Sequence, residues 1–159
     1  MNIQNLVREN IKNLTPYSSA RDEFSADAGV FLDANENPFG DFNRYPDPYQ
    51  KALKTEISKL KNIEANKIFL GNGSDEVIDL LMRIFAEPKK DKILVFNPTY
   101  GMYEVSANIN DVEVISYPLN QDFQIEFSEE LEQILKDENL KLVLVCSPNN
   151  PSGNLIAKN

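Results

Sequence analysis

Between Lys67 and Cys146 short apolar runs alternate with segments of helical period, and few architectures accept that order. Ile93–Phe96, Val112–Tyr117 and Leu140–Cys146 have strand length, and Lys67–Leu70 is a shorter run of the same kind. Between them, Val77, Leu80, Leu81, Ile84 and Phe85 recur at helical spacing, Thr99–Ile109 reads as a helix and Ser128–Asp137 as an acidic one. Parallel strands need a crossover between them, and crossover helices cover the sheet faces. The pattern therefore predicts an α/β fold: a mostly parallel sheet with flanking helices. Leu140–Cys146 is the most apolar run, and such a strand needs neighbours on both sides. With only about four strands available, residues 49–159 are expected to be an incomplete domain.

Upstream the punctuation differs. Asn2–Asn13 carries Ile3, Leu6, Val7 and Ile11 at helical spacing, and Leu14-Thr15-Pro16 ends that helix because the residue before proline is pushed out of the α region. Residues 17–48 are dense in turn chemistry and read as an extended arm with one short strand, Val30–Asp33. A structureless stretch of that length usually serves function or a partner contact. Tyr49, Ala52, Leu53, Ile57 and Leu60 then mark another helix. The division expected is a helix and arm over 1–48, followed by the α/β portion over 49–159.

Composition removes several function classes. The 159 residues carry a net charge of −9, and no basic face suits nucleic acid. Much of the excess is local: residues 121–139 hold seven acids against one base, the pattern of a solvated helix face. The sequence contains no histidine, which excludes a Ser–His–Asp triad, a Cys–His pair and histidine metal sites within it. The single cysteine, Cys146, cannot form an internal disulfide and is read as a small buried hydrophobe. No apolar run is long enough to span a membrane, and a cytoplasmic location is expected.

Chemistry gathers at strand ends. Gly71-Asn72-Gly73-Ser74-Asp75-Glu76 joins a glycine turn to a helix start, where free N–H groups and the helix dipole suit a phosphate. It is neither a P-loop nor the dinucleotide fingerprint, and a plain turn and cap is the competing reading. Asp75 and Glu76 would repel a phosphate unless their side chains turn away. Asn97-Pro98-Thr99-Tyr100 places an aromatic after the next strand, able to stack on a flat ligand or simply to fill the core. Ser147-Pro148-Asn149-Asn150-Pro151-Ser152-Gly153 brackets two amides between prolines, suited to a ligand oxygen or to the loop's own backbone. All three lie at carboxyl ends of expected parallel strands, where open α/β sheets bind ligands. A phosphate nest, an aromatic face and an amide together describe pyridoxal phosphate.

With Leu32-Asp33-Ala34-Asn35-Glu36-Asn37-Pro38, Arg44-Tyr45-Pro46-Asp47, Thr15-Pro16-Tyr17 and Pro98-Thr99-Tyr100-Gly101-Met102-Tyr103, these motifs resemble, in order, the N-terminal part of the histidinol-phosphate aminotransferases, a family of fold-type-I pyridoxal-phosphate enzymes. The resemblance implies the large cofactor-binding domain of that fold, preceded by an N-terminal arm, in a homodimer. It implies that the backbone amides of Ser74 and Asp75 hold the cofactor phosphate, that Tyr100 stacks on the pyridine ring, and that Asn150 bonds the ring's 3′-oxygen. Tyr45 would reach the cofactor phosphate of the neighbouring subunit, Tyr17 would receive the phosphate end of the substrate, and Asn37 is a further substrate-side candidate. The implied reaction is exchange of an amino group between histidinol phosphate and 2-oxoglutarate in histidine biosynthesis. The family's cofactor-linked lysine and its phosphate-gripping arginines lie downstream of the Asn-Pro-Ser/Thr-Gly turn, and no lysine here matches that motif. No catalytic residue is therefore assigned, and this polypeptide alone is expected not to transaminate.

Two other readings remain open on sequence: a pyridoxal-phosphate decarboxylase of a phosphorylated amino acid, of the threonine-phosphate type, and a non-catalytic phosphate-binding or assembly module using exposed sheet edges.

Overall fold

The computed structural model describes residues 2–19, 30, 32–41 and 44–157. In chain order its helices are α1 (Glu9–Lys12), α2 (Lys51–Lys61), α3 (Gly73–Phe85), α4 (Met102–Ile109) and α5 (Glu129–Leu135), and its strands β1 (Lys92–Asn97), β2 (Glu113–Pro118) and β3 (Leu140–Leu144). The chain divides into two compact units, Thr15–Leu70 and a larger one formed by Met1–Leu14 with Gly71–Asn159.

The larger unit is built on a three-stranded sheet in the order β2-β1-β3, with both pairs parallel. From the central β1 the chain passes through α4 to β2, then back through α5 to β3 on the other side. Right-handed crossovers running in opposite directions put their helices on opposite faces. The core follows that arrangement. Ile93 and Val95 pack with Ile78, Met82 and Ala86 and with Ala107 and Val112 on one face. Leu94 and Phe96, alternating with them, pack with Tyr117 and Leu131 on the other. Four consecutive apolar residues of β1 are buried because both faces are covered.

Several elements differ from the sequence reading. The helix expected over Asn2–Asn13 is a 3₁₀ turn at Ile3–Asn5 followed by α1. The break is tertiary: the Arg8 backbone N–H donates to the Ile84 carbonyl at 2.9 Å, and its guanidinium to the Arg83 carbonyl and the Glu87 carboxylate. The strand expected over Lys67–Leu70 is absent; Ala65–Lys67 is a 3₁₀ turn, and no strand pairs with residues 68–70 among the described residues. The strand expected at Val30–Asp33 lies partly outside the described residues, and Val30, Leu32 and Asp33 are not in a strand. On α3 the residues buried deepest are Ile78 and Met82, with Val77, Leu80, Leu81, Ile84 and Phe85 only partly covered. The most apolar run ends as a strand at Leu144 rather than Cys146; β3 is an edge strand among the described residues, and Val143 is 45% exposed.

In the smaller unit, Asp47 starts α2: its carboxylate accepts the backbone N–H groups of Tyr49 at 2.9 Å and Lys51 at 2.8 Å. Those bonds hold its carboxyl below the usual aspartate range. The left-handed Asn62, φ 52°, closes the helix.

Candidate functional site

The carboxyl ends of β1 and β3 and the N-terminus of α3 meet through two side-chain hydrogen bonds. The first starts from the turn before α3. Gly73 has φ 77°, a left-handed conformation that glycine adopts without strain, and its N–H donates to the Gly71 carbonyl at 2.9 Å. The Glu76 carboxylate folds back to accept the Asn72 N–H. The Asp75 carboxylate turns the other way and accepts the Tyr100 hydroxyl, at 3.0 Å to one oxygen and 3.3 Å to the other. Both acids of the first turn are thus engaged by donors, and the N–H groups of that turn have no partner within the helix.

Tyr100 follows the cis Asn97–Pro98 bond at the end of β1. Its ring meets Tyr103 edge-on, with centroids 5.7 Å apart and planes at 88°. The bond to Asp75, then burial, moves the Tyr100 hydroxyl's ionisation upward. Tyr103 is pushed up to about 12, chiefly by burial and then by the Cys146 thiol beside it. Cys146 is partly exposed rather than buried, and its thiol lies 3.4 Å from the Pro148 carbonyl. The reason is position: it follows an edge strand and enters the loop.

The second bond belongs to that loop. Asn149, 4% exposed, donates from Nδ2 to the Pro98 carbonyl at 3.0 Å and to Ser152 Oγ at 2.7 Å. Its backbone N–H donates to Asn154 and its carbonyl accepts from Gly153. Asn150 is exposed, and its side-chain amide makes no hydrogen bond among the described residues. The motif's two asparagines therefore divide the work: Asn149 ties the loop down, and Asn150 is presented.

Ser74, Asp75, Tyr100 and Asn150 all belong to this connected set of loops. Tyr17, Asn37 and Tyr45 lie in the smaller unit. Tyr17 is 89% exposed and Tyr45 65% exposed, while Asn37 Oδ1 accepts the Phe39 N–H at 3.0 Å. Two residues here have roles that the sequence reading does not assign. That reading names both amides of the loop and gives a separate role to Asn150 alone; the buried Asn149, bonded to the Pro98 carbonyl, is the one that fixes the loop. Glu36 holds the arm together: its nearly buried carboxylate accepts the Arg44 guanidinium at 2.7 Å and the Tyr45 N–H at 2.8 Å.

Two lysines of the larger unit stand at the other end of the sheet. Lys92 opens β1 and pairs with Asp137 at 3.1 Å and Glu113 at 3.6 Å; Lys141 lies near the start of β3. Five residue steps along β1 separate Lys92 from Asn97, roughly 16 Å. Neither lysine reaches the carboxyl-end loops. Among the described residues no cluster of metal-ligating side chains occurs, and no helix is long and apolar enough to cross a membrane.

Chemically, the loops combine helix-start amides that have no partner within the helix and suit an anion, an aromatic ring beside them and a presented amide. A family model described as aminotransferase class I and II matches residues 19–159. The chain belongs to that family. It is 53% identical to the histidinol-phosphate aminotransferase of Cytophaga hutchinsonii over 98% of its own length and 46% of that protein's. With the Bacteroides fragilis histidinol-phosphate aminotransferase the identity is 55%, over 96% of this chain and 44% of the other. Among solved structures, the histidinol-phosphate aminotransferase of Clostridium acetobutylicum superposes with a TM-score of 0.57 at 31% identity, over 72% of this chain and 32% of that one. The chain spans under half the length of the curated relatives it matches.

Proposed function

We propose that this chain forms part of a pyridoxal-phosphate-dependent transaminase that exchanges an amino group between histidinol phosphate and 2-oxoglutarate in L-histidine biosynthesis. The observation that carries the reading is the identity of 53–55% with curated histidinol-phosphate aminotransferases over nearly the whole chain. The loop geometry supports it, since the donor set suits the cofactor. Backbone amides of Ser74 and Asp75 take its phosphate. The Tyr100 ring stacks on its pyridine, and the Asn150 amide bonds the ring's 3′-oxygen. When bound, pyridoxal phosphate supplies the electron sink that such chemistry requires.

The arm completes the proposal. Tyr45, from 1–48, contacts the cofactor phosphate of the second subunit in a homodimer, and Glu36 keeps its backbone in place. Tyr17 and Asn37 face the substrate. The α/β portion over 49–159 is the start of the large domain, and the protein works in the cytoplasm on small molecules, without nucleic acid or membrane. The proton-moving lysine comes from outside these residues, consistent with Lys92 and Lys141 standing at the far end of the sheet. The chain alone is therefore inactive.

The L-threonine-O-3-phosphate decarboxylase of Porphyromonas gingivalis shares the fold at 26% identity, well below the curated transaminases. The test joins this chain to the part of the Cytophaga hutchinsonii protein that it does not span. The hybrid is expected to form glutamate from histidinol phosphate and 2-oxoglutarate, with no glutamate from the chain alone. Decarboxylation of phosphothreonine without transamination would overturn the reading.

A further inference from the structure

We propose that the Asp75 side chain is a positioning residue for the cofactor ring, acting through the Tyr100 hydroxyl. The inference rests on the cofactor reading above and gives the Asp75 carboxylate a task distinct from that of its backbone amide. A tyrosine ring is set by two side-chain torsions, and two contacts restrain this one. Tyr103 meets the ring edge-on at 88°, and Asp75 holds the far end through both carboxylate oxygens, at 3.0 and 3.3 Å. Asp75 is itself placed by the first turn of α3, whose amides would take the phosphate. One residue thus links the phosphate end of the ligand to the face that covers its ring.

The bond also changes the ring's electronics. A phenol donating to a carboxylate is richer in π-electron density, which strengthens its stacking on an electron-poor pyridine ring. It also answers the charge problem at this helix start. The carboxylate is favourable beside the α3 N-terminus, and the hydroxyl donor takes up part of its charge, so it sits beside an anion site at reduced cost.

The test uses the chain itself, labelled with ¹³C at tyrosine Cζ, with Tyr100→Phe to assign the resonance. Without cofactor, Tyr100 is expected to ionise above ordinary tyrosine, and to return toward the ordinary value in Asp75→Ala. Asp75→Asn should restore ring position in part, because its amide oxygen still accepts the O–H. The sequence has no tryptophan, so quenching of tyrosine emission reports pyridoxal phosphate binding. Asp75→Ala and Tyr100→Phe should each weaken that binding roughly fivefold, and the double variant no further. A Tyr100 resonance indifferent to Asp75→Ala, or losses that multiply in the double variant, overturns the proposal while leaving the cofactor reading intact. A wild-type chain that binds inorganic phosphate but shows neither quenching nor competition with pyridoxal phosphate overturns the cofactor reading, and this proposal with it.

Discussion

The Asn149 amide donates to the carbonyl oxygen of Pro98 across 51 residues of sequence, joining the ends of β3 and β1 directly. Replacing Asn149 by alanine removes both hydrogen bonds of a buried side-chain amide, at a cost of about 1–3 kcal/mol. Asn149→Asp is expected to cost more, since it turns a carboxylate oxygen toward the Pro98 carbonyl. Urea unfolding measures both. The same variants should weaken pyridoxal phosphate binding more than Asn154→Ala does, because the Asn149 amide ties the loop that presents Asn150 to the Tyr100 loop, whereas the Asn154 amide donates to the Phe123 and Leu155 carbonyls.

Gly73 offers a test confined to the backbone. An added Cβ there would meet no atom within 4 Å, so Gly73→Ala carries only the penalty of φ 77°. That penalty is about 1 kcal/mol, read as a lower melting temperature. Loss of phosphate binding should exceed loss of stability, because the turn aims the first amides of α3.

Acid should erode the fold in a defined sense. The Glu87 carboxyl is held below its ordinary value by Arg8, Asp79 by Arg83 and Asn110, and Asp137 by the Asn139 N–H and then Lys92. A carboxyl depressed on folding contributes stability that is complete above its unfolded pKa, near 4, and is lost as pH falls through the folded value. Stability should therefore decline progressively in acid below about pH 4. Arg8→Ala should lower stability at neutral pH and flatten that acid limb, in melts across the pH range.

Two substitutions compare a core with a cap. Met82 is fully buried between α3 and the sheet, and Met82→Ala is expected to cost about 2–5 kcal/mol. Ser128 caps α5 by accepting the Leu131 N–H at 3.1 Å, and Ser128→Ala should cost about 1 kcal/mol. Denaturant midpoints should keep that order.

The alternation of strands and helices was legible because each apolar run is bounded by turn residues and followed by helical spacing. Ser128 and the acids after it marked the start of α5 in the same local way. What escaped depended on distant partners. Arg8 interrupts its helix for Ile84 and Glu87, far along the chain. On α3 two apolar arcs compete, and only the sheet decides that Ile78 and Met82 face inward rather than Leu80 and Ile84. Lys67–Leu70 has the composition of a strand, but among the described residues no strand pairs with it. At the site, the proline-bracketed loop was visible, yet nothing local separates Asn149 from Asn150; the Pro98 carbonyl does that.

The backbone of β1 partitions the interior into two layers, and Tyr100 and Tyr103 pack against the one that contains Met82 and Val95. The layer of Leu94, Phe96 and Leu131 lies beneath the acidic helix on the reverse side. Repacking or recharging that reverse side is therefore a route to altered solubility or robustness that leaves the ligand-facing loops undisturbed.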